Sequence, residues 1–361
     1  MARKPKDNGS RKFGAPLYCA AWPAGSYPIV GGGGGKRSSG IPNRAVVLKV
    51  ENGSLSDKEQ GDLRTNELTP FNMALHPSSQ TVVVGVGSAG LQVIDVMQQP
   101  GSAPTLTLAP ETTAQQEVLS SFGEAKGLAF SRDGKLLAVG VHNAVHIHEW
   151  PSLVSKATIR RGKEGLTDAV RDVDFSRAHA NNAVIAVTCE DGSCSLWSWS
   201  GPTYVGNLEL PSELAGGAFK SCRFSRNGQK GLFTVVNHQG SGHILYWHQT
   251  DIGEVQVVRQ TRTNSFAAPI TAFDISPSGT FLGTGTSEGD VATFLAEDLR
   301  PLQRVKGAHM VFTTGLTFSR DEQTMLTVSA DASALATKVL CKIGLVYMLR
   351  PIRNFDILTA L

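Results

Sequence analysis

Self-similarity at a spacing of about 45 residues constrains this chain more than any other feature of it. Each unit reads as a short apolar strand, a Ser-x-x-Gly-type turn and a second apolar strand. A small polar turn, a strand ending in an aromatic residue and a looser fourth strand follow. The clearest copy is Gly127-Leu-Ala-Phe-Ser-Arg-Asp-Gly-Lys135, then Leu136 to Val141, then Val145 to Trp150. Parallel copies begin at Leu17, Phe71, Val170, Ser221, Ile270 and Gly315. Trp150, Trp199 and Trp247 close the third strand in three of them. Asp133-Gly134 and Asn227-Gly228 tolerate positive φ, and Pro277-Ser278-Gly279 is a turn former.

Short strands bounded by turn signals, repeated at this period, are the signature of a propeller. Seven copies predict an all-β chain folded as one seven-bladed WD-type β-propeller over residues 14–340. Glu111 to Phe122 is the one segment with helical period. A closed ring normally borrows a strand from the opposite terminus, because an open sheet edge invites aggregation. The last repeat lacks its fourth strand, which either Leu345 to Leu349 or an N-terminal segment could supply. Residues 1–13 are expected to be a disordered basic tail carrying Arg3, Lys4, Lys6, Arg11 and Lys12. Such a tail is either solvated or weakly drawn to an anionic membrane. Residues 341–361 are expected to be a C-terminal tail.

Hydrophobic residues at 41% and charged residues at 18% fit a folded soluble protein. The net charge is +3, with no basic stripe beyond the N-terminus, which argues against a nucleic-acid partner. Cys19, Cys189, Cys194, Cys222 and Cys341 are scattered, odd in number and without a CxxC. They read as reduced thiols in the cytosol. Met1 to Lys12 has no apolar core of a signal peptide. No stretch reaches the roughly 20 apolar residues of a membrane-spanning helix, and Ile343 to Leu349 falls far short.

One segment breaks the repeat. Val30-Gly31-Gly32-Gly33-Gly34-Gly35-Lys36-Arg37-Ser38-Ser39-Gly40-Ile41-Pro42-Asn43 lies between the apolar runs Tyr27–Val30 and Ala45–Val50. Glycines have the most backbone entropy to lose, so five in a row belong on a surface. Both ends are held by the scaffold, and such a loop brings main chain close to something else. It is not a phosphate loop. GxxxxGK[ST] would need Gly at Val30 and Ser or Thr at Arg37. GxGxxG fails because its sixth position falls on Lys36 or Arg37. No helix follows to support an anion. The bland reading is a flexible hairpin loop. Against it stands Gly40-Ile41-Pro42-Asn43, an apolar tip stiffened by proline, which looks like a wedge for another protein. Lys36 and Arg37 are read as solvated.

Other candidates take their bland reading. Gly285-Thr-Ser287-Glu-Gly289 matches GxSxG, but it lies in a hairpin and not at a strand-to-helix turn. His142, His146 and His148 have no carboxylate or thiol partners at metal-ligand spacing. Cys189 and Cys194 flank a turn as reduced thiols. The acceptor sequences at Asn8 and Asn52 are chance matches.

The glycine run followed by Gly-Ile-Pro-Asn in the first blade resembles the Sec-twelve-like family. So do Ala15-Pro-Leu-Tyr-Cys-Ala-Ala-Trp22 and Phe71-Asn-Met-Ala-Leu-His-Pro77. The animal members are called prolactin regulatory element-binding proteins, and the likeness here is to a plant member. The family's proteins are endoplasmic-reticulum exchange factors for the Sar GTPase, which starts COPII coat assembly and transport to the Golgi. The resemblance implies a guanine-nucleotide exchange factor that performs no covalent chemistry. It acts at the cytosolic face of the endoplasmic reticulum membrane. Carried over by position, Ile41, Pro42 and Asn43 would be the active tip, with Gly40 beside them. Gly31 to Gly35 would supply carbonyls, and Gly32, Gly33, Gly34 and Gly35 would hold a potassium ion. The family's membrane anchor follows its propeller, and the tail after Cys341 has no such helix. A chain of that form would be soluble. The alternative is a non-catalytic WD-type interaction protein assisting cargo exit from the reticulum. Relatives of that kind lack the glycine run and the Gly-Ile-Pro-Asn tip.

Overall fold

In the computed structural model the repeat becomes seven four-stranded antiparallel sheets. The structure describes residues 9–340, apart from 79, 100, 163–165, 177–183, 200, 202, 228–230, 250–254 and 261–266. Each sheet is a blade, and the ring is the all-β seven-bladed propeller expected from the repeat. The inner strands Leu17–Ala24, Asn72–Leu75, Gly127–Phe130, Val170–Phe175, Ala218–Phe224, Ile270–Ile275 and Thr313–Phe318 line a central channel.

Why the blades stack follows from their sequence. Second strands such as Leu136–Gly140 and Phe281–Thr286 are buried along their whole length. They read as near-continuous apolar or small residues because both sheet faces are covered. One face packs on the preceding blade and one on the next. Val145, Ile147 and Ile159 of the third blade meet Val170, Phe175 and Ile185 of the fourth in one such layer. The outer strand Thr203–Asn207 is largely exposed, Tyr204 and Val205 included.

The helix is shorter than its sequence pattern, spanning Thr113–Ser121. Thr112 caps it, with Gln115 answering from the third helical position, so two orphan backbone donors are satisfied. No helix of the described residues is long and apolar enough to cross a membrane.

Ring closure corrects one expectation. Arg11 and Lys12 are not part of a tail. They pair with Ala334 and Ser333 as the outer strand of the seventh blade. Phe13 follows, its N–H donating to Ala332 O at 2.9 Å, and its ring sits in the core shared by the first and seventh blades. Burying a phenylalanine is worth roughly 2–3 kcal/mol, more than a short basic segment gains by remaining solvated. Thr314 Oγ1 donates to Leu17 O at 2.7 Å across the same seam. Residues 1–8, the other proposed closing strand Leu345–Leu349 and the rest of the tail from Cys341 lie outside the described residues.

Candidate functional site: the first-blade loop

The second and third strands of the first blade, Tyr27–Gly32 and Asn43–Val47, are joined by residues 33–42. The equivalent turn in the seventh blade spans only residues 330–332. Gly31 and Gly32 belong to the strand, opposite Ala45 and Arg44. Their backbone is committed to the sheet, which leaves Gly33, Gly34 and Gly35 as the glycines of the loop proper.

The glycine run is dense, not loose. A Cβ on Gly32 would stand 2.0 Å from Pro16 O. One on Gly33 would stand 2.1 Å from Asn43 Oδ1, and one on Gly34 2.6 Å from Ile41 Cβ. Real side chains cannot meet neighbours that closely, so hydrogen is the only substituent that fits. Gly35 and Gly40 have open space but adopt φ of 81° and 70°. The run is therefore required by close approach on one side and by left-handed turns on the other.

Asn43 organises the loop. It is 2% exposed. Its Nδ2 donates to Gly35 O at 2.6 Å and to Asn66 O at 3.0 Å. Its Oδ1 accepts from Gly35 N–H at 3.0 Å and from Thr69 Oγ1 at 2.9 Å. Both polar atoms are thus satisfied inside the chain, as a buried amide requires. Sequence reasoning places Asn43 at the tip; the structure places it at the base, clamping the loop to the outer strand and to the crossing into the second blade. The available signal was register: the residue opposite Gly33 must project its side chain over a backbone with no Cβ.

The outer part is a short turn. Residues Arg37–Ser39 form a 3-10 helix, with Ser39 N–H donating to Lys36 O at 2.9 Å. Ser39 Oγ accepts from Ile41 N–H at 3.2 Å. This bond turns Ile41 back onto Gly34, so Ile41 is half-buried while Gly40 and Pro42 are exposed. The expected exposed isoleucine tip is therefore a partly sheltered one, with Lys36, Ser38, Ser39, Gly40 and Pro42 as the outermost residues. At the base, Arg44 binds Glu59 with both guanidinium nitrogens, at 2.7 and 2.8 Å, and donates to Phe13 O at 3.0 Å. The loop is thereby tied to the ring-closing segment.

Beneath the loop, Cys19 is buried and its Sγ lies 3.6 Å from Pro70 O. Burial pushes its thiol well above the ordinary range, so it is not a nucleophile. Cys189, Cys194 and Cys222 are likewise free and buried. His148 Nδ1 lies 2.8 Å from Leu153 O, and Phe122 packs on both His146 and His148. Burial lowers the pKa of His146. No group of three or more His, Cys, Asp or Glu side chains suits a metal among the described residues. Ser287 sits in a turn between two strands, with its N–H donating to Pro269 O at 2.9 Å, so no hydrolase elbow forms there.

The loop's donor set is neutral: main-chain carbonyls at Gly33, Gly34 and Gly35. Such oxygens suit a weakly hydrated monovalent cation and not a thiolate- or imidazole-seeking metal. A potassium ion is chemically compatible with the residues present.

No protein-family profile matches the chain. Curated relatives do. SEC12-like protein 2 of Arabidopsis thaliana is 27% identical over 308 residues, covering 83% of this chain and 73% of that protein. The guanine nucleotide-exchange factor SEC12 of Rattus norvegicus is 24% identical over 366 aligned positions, covering 85% of this chain and 84% of that protein. The Mus musculus protein of the same name matches at 24% identity with the same coverage. Among solved structures, Chaetomium thermophilum Sqt1, bound to the N-terminus of the ribosomal protein L10, superimposes with a TM-score of 0.68. It is 15% identical and covers 92% of this chain and 100% of its own, a likeness of fold alone. With the seven blades and the clamped glycine loop, the curated relatives make the chain similar to Sec12-like proteins along most of its length.

Proposed function

We propose that this protein is a guanine-nucleotide exchange factor for a Sar-type small GTPase, working at the cytosolic face of the endoplasmic reticulum to start COPII coat assembly. The observation that carries the reading is the first-blade loop. It is ten residues long where its counterpart in the seventh blade has three. It is built at the cost of close-packed glycines, and Asn43 orders it from the base while its outer residues stay exposed. The exchange-factor names of the rat and mouse relatives support the same activity. Retention of the glycine run and of Gly40-Ile41-Pro42-Asn43 favours it over an interaction protein without exchange activity.

An exchange factor binds the empty GTPase more tightly than the loaded one, and by reciprocity it weakens nucleotide binding. A GTPase that holds nucleotide at picomolar strength holds it by about 16 kcal/mol, several of which the factor must offset. A preordered loop helps, because its conformational entropy is already spent before docking. Ile41 and Pro42 supply the apolar contact that displaces the switch elements. Asn43 acts indirectly, by fixing Gly35 and so the loop's projection. Gly33, Gly34 and Gly35 would hold potassium through their carbonyls, and the ion would add rigidity and positive charge to the loop.

The test is nucleotide release from a purified Sar-type GTPase, with this protein added in potassium, in sodium, and as Ile41→Ala. Acceleration is expected, weaker in sodium and at least tenfold weaker with the variant. No acceleration by the unaltered protein would remove the proposal. Acceleration indifferent to Ile41→Ala would relocate the site.

A further inference from the structure

Three arginines repeat at one position of the ring. The inner strands of the third, fifth and seventh blades are followed at once by Ser131-Arg132, Ser225-Arg226 and Ser319-Arg320. Ser176-Arg177 repeats the pair in the fourth blade, although Arg177 lies outside the described residues. The serine builds the turn. Ser131 Oγ accepts from Leu136 N–H at 2.9 Å, and Ser319 Oγ accepts from Thr324 N–H at 3.0 Å. The arginine is not needed for that turn. In the sixth blade, Ser276 Oγ accepts from Phe281 N–H at 3.0 Å in the same way, with Pro277 in the arginine's place.

These side chains converge on one half of the central channel. A cavity of about 360 Å³ there is lined by Arg132, Arg223, Arg226 and Arg320, against Asp174 and Asp274 as carboxylates among the described residues, and Arg223 is also paired with Asp172 at 2.6 Å. The carboxylates are already shared. Asp274 Oδ1 lies 3.4 Å from Arg223 Nε and 3.5 Å from Arg226 Nη2. Asp174 Oδ2 accepts from Phe224 N–H at 2.7 Å. Arg320 donates to Pro23 O at 2.9 Å and Pro77 O at 3.2 Å, both neutral carbonyls. Arg226 Nε is buried without a hydrogen-bond partner among the described residues. A buried guanidinium donor left unmet is costly, and an excess of positive charge in a walled channel raises the local anion concentration.

We infer that this half of the channel is an anion-binding site for a compact ligand bearing several phosphate groups, held by Arg132, Arg226 and Arg320. Guanidinium forks match phosphate oxygens two at a time, and the volume falls at the lower end of small-ligand sites. It exceeds what one phosphate fills. The shared chemistry of a soluble inositol polyphosphate and a phosphoinositide headgroup fits it. The site is separate from the first-blade loop, and its fate is independent of the exchange reading.

Calorimetric titration of the full chain at low salt tests this, with inorganic phosphate, inositol hexakisphosphate, and phosphatidylcholine vesicles with and without a phosphoinositide as probes. The hexakisphosphate is expected to bind at least tenfold more tightly than inorganic phosphate and to weaken as salt rises. R226Q and R226M should each weaken it about tenfold, matching the roughly 1.5 kcal/mol of a hydrogen bond to a charged group. R226Q removes the charge from a residue that carries no turn, so folding is preserved and circular dichroism checks it. K220Q, at the other half of the channel, should leave binding unchanged. Vesicle binding that requires the phosphoinositide assigns the ligand to lipid; binding of the soluble probe alone assigns it to a free polyphosphate. Absence of binding to every phosphate probe, or binding that R226Q and R226M leave intact, overturns the inference.

Discussion

The first and seventh blades meet at the seam of the ring, yet the turns between their second and third strands are built for different ends. In the seventh blade, residues 330–332 make a tight turn around Asp331. Its carboxylate accepts from Met310 N–H at 2.7 Å and Ser333 N–H at 2.8 Å, and lies 3.2 Å from Lys12 Nζ. The hydrogen bonds of Ser333 and Met310, together with Lys12, outweigh burial and hold the carboxyl down at about 2. Buried His309 lies 2.6 Å from Ser333 Oγ and 2.9 Å from Thr327 Oγ1. Asp331 holds the ring-closing strand through Lys12, and His309 ties the segment entering the seventh blade to its second and third strands. In the first blade the same connection carries ten residues. Asn43 and Ser39 give it internal order, while Gly40 and Pro42 stay exposed. One turn serves closure and the other is free for contact.

That contrast is breakable by substitution. His309→Ala removes two buried hydrogen bonds and leaves a void, so it should cost about 3 kcal/mol of stability, read from urea unfolding. A loss below about 1 kcal/mol would mean the seventh blade is not held there.

The pH dependence sharpens the same point. Burial lowers the His309 pKa from 6.5 to about 4, the nearby Asp331 opposing and Lys12 assisting. The unfolded chain therefore binds the proton more readily between these values. The contribution is complete above pH 6.5 and is lost as pH falls towards 4, amounting to about 3 kcal/mol at most. Stability that stays flat across that window in the intact protein, but not in His309→Ala, would reverse the assignment.

On the first-blade side, Asn43→Ala should cost about 2 kcal/mol, because Gly35 and Thr69 lose partners within the fold. It should also raise amide exchange across residues 33–42. Ile41→Ala should change stability least, by about 0.5 kcal/mol or less, since the side chain is only half-buried. A large stability loss at Ile41 would make the loop a structural element after all.

These two turns also mark how far the residues alone could be read. The strand pattern and the Ser-x-x-Gly turns announce the blades, because period-two burial and turn chemistry are local. Closure was harder. Arg11-Lys12 looks like a solvated tail, and only the missing strand at the far end of the chain gives it a partner. The glycine loop was visible as an anomaly, but its internal order was not. Five glycines suggest freedom, whereas Gly32, Gly33 and Gly34 are fixed by Pro16, Asn43 and Ile41 pressing against them. Contacts of that kind depend on register across a hairpin and on neighbouring segments such as Thr69, which no local pattern reports. The arginines of the channel were hidden differently, each being an ordinary residue of its own turn until the ring brings them together.

The most direct measurement is amide hydrogen exchange on this protein alone and in complex with a nucleotide-free Sar-type GTPase. New protection centred on residues 33–42 is the expected result. An unprotected loop, with protection appearing on another rim of the ring, would contradict the assignment of the first-blade loop as the element that engages the GTPase.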